Sequence, residues 1–376
     1  MAGIYIHIPF CKKACSYCNF HFSTSLTLYH DMVNAIKKEI ILRSKNYNEE
    51  IETIYYGGGT PSLLKIKDIE DIFLAIENNY NLSNNLEITI EVNPDDLSKE
   101  KLKSLSKTKI NRISLGIQTL NDNSLKLMKR VHSSKQSIES IENSLLFFKN
   151  ISIDLIYGIP NKDINSLDQD LRLSQFYDIK HISTYALTVE PKTLLKSQIN
   201  KNLVSMPQDD DVYRQYMYIN NFLSNENYEN YEMNSYAKKG FYSKNNSGYW
   251  LRKKYIGIGP SAHSFDGLTR SWNISNNSKY IKDIESNKLN AKREVLSKVD
   301  IYNEYVMTGL RTVWGVSGDY ISKNFGKNFY EHFMNKSQSY LKSNHLVKNK
   351  DLYTVSKKGK FLTDGIAAEL FLIKLK

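Results

Sequence analysis

The sequence predicts an α/β protein: a partial (β/α)6, TIM-like barrel with a small, mainly helical, winged-helix-like C-terminal domain. Three observations carry that expectation. Short β-branched or aromatic runs alternate six times with helical apolar stripes, as crossovers between parallel strands require. Polar or glycine-bearing residues follow the first five runs, at the strand ends where barrels build their sites. After about residue 196 the alternation stops, and the chain ends in helical patterns around one hairpin.

The units follow in order. Ile4-Tyr5-Ile6-His7-Ile8 reads as a strand ended by Pro9, and Tyr29, Met32, Val33, Ile36 and Ile40 then recur at helical spacing. A second strand over 53–56 stops at Gly57-Gly58-Gly59, before the stripe Ile66, Ile69, Ile72, Phe73 and Ile76. Further strands are expected over 86–92, 112–117, 151–157 and 181–189, with helical stripes such as Ile138, Ile141, Leu145 and Phe148 between them. Six units make an open barrel, since eight are needed to close one. Residues 209–223 read as a helix, the Tyr- and Asn-rich stretch through Trp250 as strand or loop, and Gly257-Ile258-Gly259-Pro260 as a turn. From about Val295 the pattern is helix, helix, a hairpin around the polar residues 348–351, and a last helix. The expected divisions are a barrel over 1–230, a connecting segment over 231–294 and a C-terminal domain over 295–376.

Composition narrows the function classes. With 376 residues, 41% hydrophobic, 7 Pro and 17 Gly, the chain is neither disordered nor fibrous. It has no apolar run of about eighteen residues, and its start turns polar too soon for a signal peptide, so a cytoplasmic location is expected. The 51 basic against 40 acidic residues leave a net charge of +11, which can mark a nucleic-acid partner. Here the lysines are scattered and arginine is sparse, so no nucleic-acid partner is expected.

The three cysteines, Cys11, Cys15 and Cys18, say more. An odd number in one short cluster is no disulfide framework. Three thiolates at C-x3-C-x2-C spacing after a strand suit a [4Fe–4S] cubane with one iron left open. An open iron can chelate the amino and carboxylate groups of S-adenosylmethionine. The competing possibility is structural zinc, with His21 or His7 as a fourth ligand, but zinc sites usually divide their ligands between two knuckles.

Tyr5-Ile6-His7-Ile8-Pro9-Phe10-Cys11 with Cys15, Tyr17 and Cys18 resembles the radical S-adenosylmethionine superfamily. More narrowly it resembles the branch of oxygen-independent coproporphyrinogen III oxidases and HemW-type heme chaperones, and the match extends along essentially the whole chain. Gly57-Gly58-Gly59-Thr60-Pro61-Ser62 is similar to the family's glycine motif, and Leu310-Arg311-Thr312 and Leu362-Thr363-Asp364-Gly365 fit its last domain. The resemblance implies that Cys11, Cys15 and Cys18 hold the cluster, and that Tyr5, Gly58 and Glu91 hold S-adenosylmethionine. It implies further that Gly59, Thr60, Gln118, Arg130, Asp154 and Ala186 lie near a second such molecule in the oxidases. Glu91, Gln118, Arg130 and Asp154 are expected around one barrel rim.

Two departures favour the chaperone side of the branch. Phe20 stands where the oxidases carry a fourth cysteine, and the first strand begins at about Gly3, without the oxidases' extension. The resemblance then implies bound heme as cargo, a hemoprotein client such as a respiratory one, and transient membrane contact. A third feature runs against it. The chaperones' H-N-x-x-Y-W motif reads Asn245-Asn246-Ser247-Gly248-Tyr249-Trp250, and an amide is a poor ligand for heme iron. His263 could substitute, with Met206, Met233 and Tyr231 weaker candidates. The rival functions are coproporphyrinogen III oxidation and radical modification of RNA.

Overall fold

The computed structural model describes residues 2–45 and 47–373. Its first half follows the expected rhythm: β1 (Ala2–Ile8), α1 (Tyr29–Ser44), β2 (Ile51–Gly58), α2 (Ile66–Glu77), β3 (Leu82–Val92), α3 (Lys99–Leu105) and β4 (Arg112–Gln118). Then come α4 (Asp122–Leu127), α5 (Ser134–Leu145), β5 (Ile151–Tyr157), α6 (Ile164–Phe176) and β6 (His181–Ala186). β1 to β6 are parallel neighbours in sequence order. Helix starts have chemical causes: Ser98, Asn121, Ser133 and Asp163 each accept a backbone N–H of the first turn.

The strands alternate between two environments. Ile4, Ile6 and Ile8 of β1, Ile54 and Tyr56 of β2, and Ile88, Ile90 and Val92 of β3 are buried in the main hydrophobic core, into which α1 and α2 also pack apolar side chains. The alternate positions build a polar lumen. In it Tyr55 bonds Glu91, Ser114 bonds Asp154, and Ser152 bonds His181. A parallel strand buried on both faces normally reads as continuously apolar. Here period-two polarity marks a barrel interior kept for chemistry rather than packing.

The second half departs from the sequence reading. After α7 (Leu194–Asn200) and α8 (Asp209–Asn225), β7 (Glu229–Asn230) and β8 (Ser235–Ala237) pair antiparallel beyond β6. The stretch read as strand or loop holds a short helix, α9 (Lys244–Trp250), which touches β1 and β2. Of the four residues read as a glycine turn, Gly257 and Ile258 end a strand, β9 (Lys254–Ile258), parallel to β1, and Gly259 opens the turn that follows. β10 (His263–Phe265), β11 (Thr269–Asn273), α10 (Asn277–Glu285) and β12 (Ala291–Val295) follow. The described residues thus form one twelve-stranded sheet in the order β12-β11-β10-β9-β1-β2-β3-β4-β5-β6-β8-β7, running without a break past residue 230.

The C-terminal elements are α11 (Lys298–Leu310), β13 (Val316–Ser317), α12 (Gly318–Phe325), α13 (Lys327–Lys342), β14 (Leu346–Asn349), β15 (Leu352–Val355) and α14 (Thr363–Glu369). They enclose their own core, around Tyr302, Val306, Ile321, Phe333 and Tyr353. Helices with a β14–β15 hairpin give the expected winged-helix-like module. Among the described residues, no helix is long and apolar enough to cross a membrane.

Candidate functional site

The C-terminal ends of β1 to β4 and the loop after β1 build one continuous polar site. That loop is pinned along its length. The Cys11 N–H donates to Ser23 O at 3.0 Å, Ser16 donates from N and Oγ to Met128 O and Leu127 O, and Ser16 O accepts the Leu195 N–H at 2.8 Å. Lys12 pairs with Asp95 and Asp96 in the turn after β3.

Two of the three sulfurs already have donors from the barrel. Thr60 Oγ1 lies 3.4 Å from Cys11 Sγ, and Arg130 Nη1 lies 3.5 Å from Cys15 Sγ. Asn93 joins these donors: its Nδ2 donates to Thr60 Oγ1 at 3.2 Å, and its Oδ1 accepts from Arg130 Nη2 at 2.6 Å. Arg130 Nη2 also reaches Gly116 O at 3.1 Å, while its buried Nε has no hydrogen-bond partner. Burial pushes the Cys11 thiol up to about 11 and raises Cys18 as well. Iron binding at these sulfurs therefore has to displace protons, as thiolate coordination does. The histidines that zinc would need are engaged: His7 Nε2 meets His21 O at 2.8 Å, and His21 Nε2 meets Asn277 Oδ1 at 2.7 Å. The donor set fits a three-thiolate cluster better than a Cys3His zinc site.

The glycine run places backbone against that loop. Gly58 has φ +109°, and a Cβ there would sit 2.6 Å from His7 Nδ1. A Cβ on Gly59 would sit 2.6 Å from Phe10 O, and its N–H donates to Ile8 O at 2.9 Å. Only glycine allows this approach.

Glu91 faces the same space from β3. Its carboxylate accepts Tyr55 Oη at 2.8 Å and the Gly58 N–H at 3.2 Å. Burial, with a smaller contribution from Asp154, pushes this carboxyl up to about 7. A cation beside it would restore the charge, so the group fits the ammonium of an amino-acid ligand. Tyr5 stacks on Tyr55 with ring centroids 6.1 Å apart, and its hydroxyl lies 3.2 Å from His7 Nδ1.

The expected site residues divide. Cys11, Cys15, Tyr5, Gly58, Gly59, Thr60, Glu91 and Arg130 belong to the contacts above, and Cys18 shares their loop. Gln118 ends β4 with φ +67°, its Nε2 close above Gly116. Asp154 is not on the rim: it sits mid-strand in β5, bonded to Ser114 at 3.1 Å, with burial raising its carboxyl to about 6. Period-two pleating puts it one layer deeper than the end of β5. Ala186 ends β6 opposite Tyr157 of β5 and packs against the main hydrophobic core. Sequence reasoning passed over Asn93 and Tyr55, and weighed His7 only as a zinc ligand. Asn93 was visible beside Glu91, but nothing in one dimension says it bridges Thr60 and Arg130.

Asn245 is buried in the lower lumen. Its Oδ1 accepts Thr53 Oγ1 at 3.2 Å, and its N–H donates to Glu87 Oε1 at 3.1 Å. Tyr231 is equally engaged, its hydroxyl 2.8 Å from His181 Nε2 and its ring stacked on Tyr242. His263 is exposed at the start of β10, its ring stacked on Trp272 at 5.9 Å.

The chain is similar to known proteins in both sequence and fold. Residues 5–174 match the radical SAM superfamily model. The chain is 34% identical to the heme chaperone HemW of Bacillus subtilis over 87% of this chain and 88% of that protein. It is 31% identical to HemW of Lactococcus lactis over 96% of this chain and 97% of that one. In fold it is similar to the coproporphyrinogen III oxidase HemN of Escherichia coli, with a TM-score of 0.85 at 20% identity, covering 98% of this chain and 90% of that one. The chain belongs to the radical SAM superfamily and, within it, to the HemW family.

Proposed function

We propose that this protein binds heme and hands it to hemoprotein clients, carrying a [4Fe–4S] cluster and S-adenosylmethionine as resident groups. The observation that supports this most is the similarity to HemW proteins along nearly the whole chain, combined with a thiol loop wired to the barrel through Thr60 and Arg130. Cys11, Cys15 and Cys18 would hold the cluster. Tyr5, Gly58 and Glu91 would hold the S-adenosylmethionine bound to it. Gly59, Thr60, Gln118, Arg130, Asp154 and Ala186 would line the space beyond.

When bound, the cluster and S-adenosylmethionine would supply one-electron chemistry. What the chain contributes is placement: Gly58 donates its N–H to Glu91, the Glu91 carboxylate receives the ligand ammonium, and Arg130 holds positive charge against the sulfurs. The clients would include a respiratory hemoprotein, met in the cytoplasm with transient membrane contact. Phe20, 69% exposed beside the cysteines, offers no further thiol there.

The test sets the two branches of the family against each other. Chain reconstituted anaerobically and loaded with hemin should pass heme to an apo-hemoprotein, followed by the client's Soret band. The same preparation should not decarboxylate coproporphyrinogen III. Turnover of coproporphyrinogen without heme transfer would replace this reading with the oxidase.

A further inference from the structure

One cavity lies apart from the cysteine site and is lined in part by Asn246, Tyr249 and Trp250 of the 245–250 motif. It holds about 400 Å3 at the open seam of the partial barrel, between Tyr185 on β6 and Tyr255 on β9, and α11 of the C-terminal domain lines it. Its volume is in the range of small-molecule sites. Tyr249 and Trp250 of α9, with Tyr255 and Phe265 of the sheet extension, give it aromatic walls. Tyr249 and Tyr255 meet edge to face at 4.7 Å.

Its charge arrangement is unusual. Arg252 and Arg270 both lie over the Phe265 ring, 5.3 and 6.0 Å from its centroid. Both also converge on one carboxylate, Glu304 of α11: Arg252 Nη1 pairs with Oε2, and Arg270 Nη2 lies 2.8 Å from Oε1. Arg270 Nε is buried with no hydrogen-bond partner. Two guanidiniums thus share one carboxylate, with a donor left over. Guanidiniums take carboxylates through paired N–H bonds, so the arrangement has capacity for another acid.

Resting on the heme reading, we propose that Arg252 and Arg270 are the carboxylate-binding pair of this cavity, and that Glu304 occupies it as an internal stand-in. The ligand class is a flat macrocycle bearing carboxylates: the ring stacks among the aromatic walls, and a side-chain carboxylate displaces Glu304 from the arginines. Because Glu304 lies on α11, arrival of the ligand would release an ion pair between the sheet extension and the C-terminal domain. Asn245 does not line the cavity: its side chain bonds Thr53 and also meets the side chain of Tyr249, whereas Asn246 lines the cavity.

The test uses the full chain and two probes, hemin and metal-free protoporphyrin IX, titrated by Soret absorbance and by quenching of tryptophan fluorescence. Arg252→Gln with Arg270→Gln should weaken both probes by about tenfold or more, as loss of charge-assisted bonds does. Glu304→Gln should tighten both severalfold, because the competing carboxylate is gone. Opposite signs in variants touching the same ion pair are not what simple loss of structure gives. If the unaltered chain binds hemin and Glu304→Gln leaves affinity unchanged or weaker, the stand-in role is overturned while the heme reading stands. If the unaltered chain binds neither probe, both fall together.

Discussion

Replacing Glu91 with glutamine tests whether this carboxylate is kept for a cation. In the folded chain burial raises its pKa to about 7, from the ordinary 4.5. An acid whose folded pKa is raised binds more protons folded than unfolded, so its contribution to stability falls as pH rises through that window. The penalty is about 1.4 kcal/mol at about pH 5.5, and it reaches about 3 kcal/mol above pH 7, at ~1.36 kcal/mol per pKa unit. Glutamine keeps the shape and cannot ionise. The stability of Glu91→Gln relative to the unaltered chain should therefore improve by about 2 kcal/mol between pH 5.5 and 8.5. Asp154 is present in both proteins and largely cancels. The assay is urea denaturation of the cluster-free chain across that range, followed by fluorescence. Parallel pH profiles would show that Glu91 is not held against its charge and would refute the reasoning. In the cluster-loaded chain the same variant should bind S-adenosylmethionine at least about tenfold more weakly, since a charge-assisted contact is lost.

Other expectations are more direct. Replacing Cys11, Cys15 or Cys18 with alanine should abolish iron–sulfur absorbance after anaerobic reconstitution; stoichiometric zinc in place of iron would contradict the cluster assignment. Arg130→Met removes the donor to Cys15 and should move the cluster's reduction potential to more negative values, and an unchanged potential would remove Arg130 from its surroundings. Gly58→Ala forces a Cβ toward His7 at positive φ and should lower stability by about 1–3 kcal/mol, read as a lower unfolding midpoint. Asn245→Ala leaves the Thr53 hydroxyl without its acceptor, costing about 1–2 kcal/mol, yet hemin affinity should stay within about twofold. A large loss of affinity would bring Asn245 back as a heme-site residue.

The barrel was legible because its cause is local. Each strand-helix unit declares itself through β-branched runs, a 3.6-residue stripe and a break, and all six parallel strands lie where those signals fall. The cysteine loop and the glycine run were equally legible, since their function is written in adjacent residues. β9 was not. Lys254 to Ile258 is short and glycine-bearing, and only its pairing with β1, some 250 residues away in sequence, makes it a strand. α9 was hidden for a related reason: Asn, Ser and Gly are poor helix formers, and tertiary contact with β1 and β2 overrides that preference. The seam cavity is the extreme case, because Arg252, Arg270 and Glu304 come from a turn, a strand and a helix and share no sequence pattern. Asn245 was legible as a departure from a motif. That its side chain serves the lumen required the fold.

The most direct test of the account is a hemin titration of the anaerobically reconstituted chain, read in the Soret region against a buffer control. Saturable, one-to-one binding is the expected result, and it would show that heme capture does not need a histidine at position 245. A linear, non-saturating response, with hemin left free to an apo-hemoprotein added alone, would contradict the central claim.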